Sequence, residues 1–330
     1  MPRNAALPRW ESCKRAGRGR GSMSKLFGTA SDMVRGIFFA VITCCIWGVL
    51  PLYWHFLEQA VNPFHLLGVR ILLSFLVLAI TSLATRNFNW TKILKNPRQI
   101  CVVIPAAILL CSNWALYLWA IAQGRVVETS LGYYITPLIS VTLGLIFLKE
   151  RLTRIQSVAF GLACAGVLLL TVLSGALPWI SILIAVTFGL YGLLKKKVSA
   201  SSLESLTAEL LAAAPLGILL LLVQPDAPGG IAIAGSFQGV WYITTLGAGM
   251  LVPLALAGAL TAFPLYCFGN SVRLLPLSVL GFFQFITPTL QFSMGVFVLG
   301  EFFPARYYAA FAIIWFAAAL NIVSLSKRPR

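Results

Sequence analysis

Apolar runs of about 20 residues recur along the whole chain, and short polar segments separate them. A run of that length forms a helix that can cross the roughly 30 Å of hydrocarbon in a bilayer. The runs lack the alternation of apolar and polar residues that is typical of a transmembrane β-strand. The pattern predicts ten membrane-spanning helices. Their approximate centres lie at Cys45, Phe75, Leu110, Ser140, Cys164, Thr187, Pro215, Leu256, Gln284 to Gln291 and Phe316.

One stretch of this pattern occurs twice in the chain. "LGYYITPLISVTLGLIFLKE" begins at Leu131, and "LGFFQFITPTLQFSMGVFVLGE" begins at Leu280. Both contain Leu-Gly, two aromatic residues, Ile-Thr-Pro, an apolar run and a glutamate, and the second contains an inserted Gln-Phe. The chain therefore consists of two homologous halves, which we predict to span residues 34–174 and 177–326.

Each half contains five predicted helices. Because five is an odd number, the second half enters the membrane in the opposite orientation to the first. Inverted repeats of this kind are related by a pseudo-two-fold axis in the membrane plane, and transporters built from them bind solutes near the midplane. The sequence thus predicts an all-α membrane protein of ten transmembrane helices, arranged as two inverted five-helix repeats.

The composition agrees with a membrane protein. Hydrophobic residues make up 59% of the chain, the mean hydropathy is +0.89, and 10% of residues are charged, against about 25% in soluble domains. A net charge of +16 is compatible with a nucleic-acid partner, but basic loops in a membrane protein explain it more simply. With a cytoplasmic N-terminus, all 25 lysines and arginines except Arg70, Arg125 and Arg306 lie in inside loops and tails. We therefore predict a bacterial inner-membrane protein with both termini in the cytoplasm.

The first 33 residues form a basic cytoplasmic leader. They contain no apolar core, so they do not constitute a secretory signal. One interpretation is a disordered basic tail that lies on anionic lipid. The simpler interpretation is a misplaced start codon, with the true start at Met23 or Met33.

Three segments carry a resemblance to a known family: "NWALYLWA" with Asn113-Trp114, the Leu-Gly-Phe-Phe-Gln run that begins at Leu280, and Glu301. They resemble the EamA repeats of the drug/metabolite transporter superfamily and, more narrowly, the RarD subfamily of chloramphenicol-sensitive proteins. The similarity extends from about Val34 to Ser326. It implies a ten-helix inner-membrane exporter or permease for a small metabolite or drug, but it does not identify the solute.

Two charged residues lie inside predicted spans. Arg70 lies in "LLGVRILLSFLVLAI", and its counterpart in the second half is Glu209 in "LTAELLAAAP". A charge inside the bilayer is costly and therefore faces protein or water. We expect the two residues to bracket a cavity, or to meet as a gate in one state. The alternative is that Arg70 extends to the interface and Glu209 caps its helix or stays protonated.

Polar side chains also form matched stripes in the two halves. Gln284, Thr287 and Gln291 are spaced i, i+3, i+7 and therefore share one helix face. Tyr133, Thr136 and Ser140 repeat this spacing on the fourth helix. The third helix adds the i, i+4 pair Asn113 and Tyr117, and the eighth helix adds the pair Tyr266 and Asn270. We predict that all of these residues line the cavity. The alternative role of these residues is helix–helix hydrogen bonding. Trp47, Trp114 and Trp119 are candidates for aromatic walls.

Two further residue types repeat between the halves. Pro137 and Pro288 each remove a helical hydrogen bond, so we expect a helix break at both. Glu150 and Glu301 end the fourth and ninth helices at opposite rims of the membrane, where we expect a paired structural role. Arg154 and Arg306 are nearby candidate partners, and proton coupling through the two glutamates is a weaker alternative.

No motif for catalysis or metal binding is present. The chain has no GxSxG, HExxH or Walker A sequence, no Cys-x-x-Cys spacing among its seven cysteines, and two histidines. We therefore expect neither an enzyme nor a cofactor or metal ion. The leading hypothesis is a secondary transporter of a small organic solute, driven by a proton, another ion or the solute's own gradient, as a monomer or homodimer in the lipid bilayer. The alternatives are a non-transporting scaffold or regulator with the same fold, and a membrane enzyme.

Overall fold

The computed structural model describes residues 30–58, 60–86, 90–123, 125–175, 179–224, 232–233, 247–298 and 305–326. These residues form the helices α1 (Ala30–Glu58), α2 (Pro63–Ala84), α3 (Trp90–Lys95), α4 (Pro97–Ala122), α5 (Val126–Phe147), α6 (Arg154–Ser174), α7 (Trp179–Lys197), α8 (Ser202–Leu222), α9 (Ala248–Leu274), α10 (Leu277–Phe283), α11 (Ile286–Phe297) and α12 (Tyr308–Ser326). Two short antiparallel strands, β1 (Val223–Gln224) and β2 (Ala232–Ile233), follow α8, and a 3₁₀ turn (Ala305–Tyr307) precedes α12.

The predicted all-α class with ten transmembrane helices is confirmed. Within the described residues, ten helical stretches are long and apolar enough to cross a membrane. The helices α10 and α11 form one span together, α3 is too short to form one, and each remaining helix accounts for one. The helix α1 begins at Ala30, so the last residues of the predicted leader are helical; residues 1–29 lie outside the described ranges.

Local capping signals set several helix ends. The side chain of Asn62 accepts the Phe64 N–H at 3.0 Å just before α2, and Pro63 fills its first position. Thr153 and Gln156 form a reciprocal capping box at the start of α6. The same helix ends at Gly175, whose φ of 70° is readily adopted by glycine. These signals determine where the helices begin and end, whereas the apolar runs determine where the spans lie.

Helix packing follows the sequence repeat. The helices α2 and α8, α5 and α10, and α6 and α12 pack against each other, and each pair joins a helix to its counterpart in the other half. Other contacts are also repeated between the halves. The contact of α4 with α7 is matched by that of α9 with α1, and the contact of α5 with α7 is matched by that of α11 with α1. This is the packing expected of two related five-helix units. Residues 176–178, where we predict that the halves join, lie outside the described ranges.

Glycines allow two of these interfaces to form. A Cβ added at Gly258 of α9 would lie 2.5 Å from the Cβ of Leu73 in α2. At Gly281 of α10, the added atom would lie 2.8 Å from the carbonyl oxygen of Pro137 in α5. Helices that approach this closely need a residue without a side chain at the contact, as is common inside membranes.

The outer surface is apolar. Side chains such as Val172, Leu168, Phe263 and Phe316 lie more than half exposed around the outside of the bundle. A surface of this kind is unfavourable in water but matches the hydrocarbon of a bilayer. The polar side chains described next therefore lie inside the bundle.

Candidate functional site

A cavity with a free volume of about 180 Å³ lies between the two halves. Helices α1, α2, α4 and α5 of the first half, and α7, α9, α11 and the turn before α11 in the second half, contribute to its wall. Its polar lining consists of Glu58, Arg70, Asn113, Tyr117, Tyr133, Thr136, Thr261, Gln284, Thr287 and Gln291. The lining extends from exposed Glu58 and from Pro63, at the connection between α1 and α2, down to Trp47 and Phe188. The cavity therefore opens toward the α1–α2 end of the molecule.

Arg70 places a positive charge in this cavity. Its Nε donates to the hydroxyl of Thr261 at 3.2 Å, and its guanidinium carbon lies 4.0 Å from the ring centroid of Trp54 and 5.9 Å from that of Trp114. Aromatic faces stabilise a cation in such positions. Within the described part of the chain, no carboxylate lies within ion-pair distance of Arg70. The terminal nitrogens of the guanidinium thus remain available to an anionic ligand.

Gln284 contributes a buried acceptor to the wall of the same cavity. Its side chain is 6% exposed, and its Oε1 has no hydrogen-bond partner among the described residues. The residue lies at the turn where α10 ends and α11 begins. A buried acceptor without a partner is costly, so a rotation of the amide that brings this oxygen to a donor in the cavity would be favourable.

The neighbouring polar residues hold the walls of the cavity together. The hydroxyl of Thr287 donates to the carbonyl of Cys44 at 3.2 Å, and the amide of Gln291 donates to the carbonyl of Trp47 at 3.2 Å. These bonds tie α11 to α1. The amide of Asn113 joins α4 to α7 in the same way, by donating to the carbonyl of Ile184 at 2.8 Å. Part of the predicted polar lining therefore makes helix–helix hydrogen bonds and lines the cavity at once.

Aromatic residues complete the wall and the floor. Tyr117 and Tyr133 meet edge to face with their centroids 6.0 Å apart. Trp47 and Phe188 form the floor, with a centroid separation of 5.5 Å, and both rings pack on Phe268 beneath them. Flat apolar rings around a few polar groups are typical of sites for small organic ligands.

Several predicted site residues lie outside this lining. Glu209 is completely buried and accepts hydrogen bonds from Lys195 Nζ at 2.9 Å and from the Tyr191 hydroxyl at 3.1 Å. Arg70 and Glu209 therefore do not bracket one cavity here, because Glu209 has a cation of its own on α7. The remaining predicted residues outside the lining are Ser140, Tyr266 and Asn270.

Contacts within the bundle account for these three residues. Ser140 is buried at 2% exposure. The ring of Tyr266 packs edge to face on Phe39 at 6.5 Å, and the amide of Asn270 donates to the carbonyl of Tyr266 in its own helix at 2.9 Å. Trp119 also lies outside the cavity, where it packs on Trp179.

The repeated prolines behave differently from each other. The α-helical hydrogen bonding is interrupted at Gln284 and Phe285, which keep helical backbone angles in a tighter turn, so the break comes just before Pro288. The carbonyl of Pro288 accepts the hydroxyl of Tyr134 at 3.0 Å. Pro137 lies inside α5, which continues through it, so the break that we expected there is not present.

Glu150 binds a helix terminus instead of a nearby arginine. Its two carboxylate oxygens accept the N–H groups of Leu277 and Ser278, each at 2.8 Å, at the start of α10. This position favours a negative charge, because the first N–H groups of a helix have no partner within it. Glu301, for which we predict the paired role, lies outside the described residues.

Sequence reasoning missed Trp54, Glu58, Thr261 and Lys195. The repeat aligns Thr261 with Ser112, so a polar residue inside an apolar run was a usable signal. Lys195 is the first of three consecutive lysines, and nothing in the pattern distinguishes the buried one. Within the described ranges, no three His, Cys, Asp or Glu side chains come together as a metal site.

Comparisons with known proteins agree on one family. The model of the EamA-like transporter family matches residues 34–172. Protein RarD of Streptomyces exfoliatus is 37% identical over 88% of this chain and 88% of its own length, and the uncharacterized transporter YojE of Bacillus subtilis is 37% identical over 91% and 97%. A crystal structure with 17% sequence identity superimposes with a TM-score of 0.62 and covers 91% of this chain and 100% of its own, which shows a shared fold.

Proposed function

The chain belongs to the EamA family of membrane transporters, within its RarD subfamily, and from this premise we propose that it is a secondary transporter of a small organic solute. The solute binds in the cavity between the two halves and crosses the bacterial inner membrane by alternating access. The observation that carries this proposal is the unsatisfied chemistry of the cavity. Among the described residues, no carboxylate lies within ion-pair distance of Arg70, which Glu58 attracts only from farther away, and Gln284 Oε1 has no donor.

These groups indicate the kind of solute. The terminal guanidinium nitrogens of Arg70 suit a carboxylate or another planar anionic group. A donor on the solute would bind Gln284 Oε1 once the amide rotates toward the cavity, and a flat apolar body would pack against the rings of Trp47, Trp114 and Phe188. The free volume of about 180 Å³ suits a metabolite-sized molecule.

Alternating access is supported by the asymmetry between the two ends. The cavity extends to the α1–α2 end, while Glu209 of the second half is fully buried and the half-buried Tyr266 and Asn270 make contacts within the bundle outside this cavity. In an inverted repeat, these residues line the matching cavity when the other end opens. The distribution of lysine and arginine assigns the closed end and both termini to the cytoplasm. A proton or another ion is the candidate for coupling, because no ATP-binding motif is present.

Counterflow in proteoliposomes tests the proposal. Proteoliposomes that contain the purified protein are loaded with unlabelled solute. Uptake of labelled chloramphenicol and of labelled amino acids is then measured. We expect saturable exchange of at least one of these solutes. The Arg70→Ala variant should lose this exchange, and Arg70→Lys should recover part of it, because lysine keeps the charge without the planar fork.

Arg273→Ala is the matched control, because Arg273 is an exposed arginine on α9 outside the cavity. All variants are checked for a monodisperse elution profile before assay. Exchange that survives Arg70→Ala at the wild-type rate would contradict the assigned role of Arg70. Absence of exchange for every solute, from folded protein, would favour a non-transporting scaffold that keeps the fold.

A further inference from the structure

A buried polar cluster lies beneath the floor of the cavity, toward its closed end. Lys195 Nζ donates to Ser205 Oγ at 2.6 Å and to Glu209 Oε1 at 2.9 Å, and the two charged side chains are 2% and 0% exposed. The hydroxyl of Tyr191 donates to the other carboxylate oxygen of Glu209 at 3.1 Å. Since Lys195 and Tyr191 belong to α7 and the other two residues to α8, the cluster binds these helices together.

The cluster is connected to the cavity through aromatic rings. Tyr191 stacks on Phe268 at a centroid distance of 6.0 Å and an interplanar angle of 13°. Phe268 in turn packs at 5.1 Å from Phe188, which forms part of the cavity floor. Tyr191, which extends the aromatic floor through Phe268, is therefore also the residue that binds the Glu209 carboxylate.

Further contacts tie the same end of α7 to the second half. Lys196 Nζ donates to the carbonyls of Val272 and Leu275, where α9 ends and its last carbonyls have no partner within the helix. The backbone is close here as well, because a Cβ added at Gly269 of α9 would lie 3.2 Å from the Cβ of Ser202 and 3.5 Å from Cε of Lys195. Any opening of this end must separate α7, α8 and α9 around Lys195.

A buried ion pair is suited to such an opening. Removing charges from water is so costly that well-packed apolar residues often stabilise a protein as well as an ion pair does. When water enters, however, both charges are hydrated, and their separation costs little in a medium of high dielectric constant. An ion pair therefore supports both a dry, paired state and a wet, separated state, whereas an apolar pair supports the dry state alone.

We propose that the Lys195–Glu209 ion pair is the latch of the gate at the closed end. It holds α7 against α8 while the cavity is open at the α1–α2 end, and it separates and becomes hydrated when the closed end opens. This inference rests on the proposed alternating-access function and identifies the residues that regulate it.

Thiol accessibility tests the latch. A reporter cysteine is introduced by Ser202→Cys, at a side chain that is 3% exposed in the closed interface, after the native cysteines have been replaced by serine. A membrane-impermeant maleimide is then applied to each side of oriented vesicles. We expect Lys195→Met and Glu209→Gln, which each leave one buried charge unpaired, to accelerate labelling from the closed side about tenfold or more, a factor that corresponds to about 1.4 kcal/mol. Lys197→Met, which removes an exposed lysine from the same helix end, should leave the rate unchanged.

The double variant Lys195→Met/Glu209→Leu distinguishes a latch from simple packing. It leaves no unpaired charge, so we expect folded protein with slow labelling, but with counterflow lost because the apolar pair cannot separate into water. Folded single variants that label as slowly as the wild type, or a double variant with wild-type exchange, would overturn the proposal. If the single variants do not fold, the double variant alone decides. Absence of exchange in the wild type would instead overturn the transport function, while the labelling rates would still report on the latch.

Discussion

The guanidinium of Arg70 lies over the indole ring of Trp54, with its central carbon 4.0 Å from the ring centroid. A charge inside a membrane span is thus stabilised by an aromatic face and one hydroxyl, while the Glu58 carboxylate in the same lining attracts it from beyond ion-pair distance. Trp54 lies near the end of α1, and Arg70 lies in the first half of α2, so their contact forms part of the wall between the mouth of the cavity and its interior. This arrangement keeps the charge in place and leaves it available to a solute.

We predict that Trp54→Leu weakens solute binding while retaining the fold. Loss of the cation–π contact removes about 1 kcal/mol, which corresponds to an affinity about fivefold lower. The half-saturation concentration of counterflow measures this change. Trp119→Leu is the matched control, because Trp119 packs on Trp179 outside the cavity and should leave the affinity unchanged. Equal effects of the two substitutions would show that the Arg70–Trp54 contact has no special role.

We predict that Gln284→Met stabilises the solute-free protein and impairs transport. The substitution removes a buried oxygen without a partner among the described residues, so the free energy of unfolding should rise by about 1 kcal/mol. A transported solute should no longer raise the unfolding temperature, because its donor has lost the acceptor. Thermal scans with and without the solute measure both effects. A variant that is less stable than the wild type would show that the Oε1 atom already has a partner, such as an ordered water molecule.

We predict that Gly144→Ala destabilises the protein through Glu150. The added methyl group would lie 2.7 Å from Glu150 Oε2 and 3.1 Å from the Ser278 nitrogen, so the carboxylate must leave the start of α10. The expected loss is about 1–3 kcal/mol, since two charge-assisted hydrogen bonds are disturbed. Gly161→Ala provides the control, because an added Cβ there meets nothing within 4 Å. The unfolding temperatures of the two variants should therefore differ clearly, and equal values would contradict the capping role of Glu150.

We predict that both termini face the cytoplasm. A green fluorescent protein fused after Arg330 should fluoresce in intact cells, and alkaline phosphatase fused at the same position should be inactive. The physical reason is that lysine and arginine resist translocation, and they are concentrated in the loops assigned to the inside. The opposite pair of results would reverse the orientation and would place the closed end of the bundle on the periplasmic side.

The amino-acid sequence by itself determined the class of the protein, the number of spans and the repeat. Hydrocarbon imposes a minimum length and an apolar composition on every span, so α1 and α12 are as visible in the sequence as they are in the structure. The duplicated segments that begin at Leu131 and Leu280 revealed the two halves without any coordinates. Polar residues in apolar runs, such as Arg70 and Gln284, could be recognised as candidates because their burial in lipid is costly.

The tertiary structure alone decided which of these candidates share a cavity. Arg70 and Glu209 occupy matching positions in the repeat, but Arg70 faces the open cavity while Glu209 is paired with Lys195 in the closed end. An inverted repeat encodes two opposed ends with one pattern, and a single conformation can open only one of them at a time. The contact of Arg70 with Trp54 and the pairing of Lys195 with Glu209 depend on distances between different helices, which the periodicity of one helix does not contain.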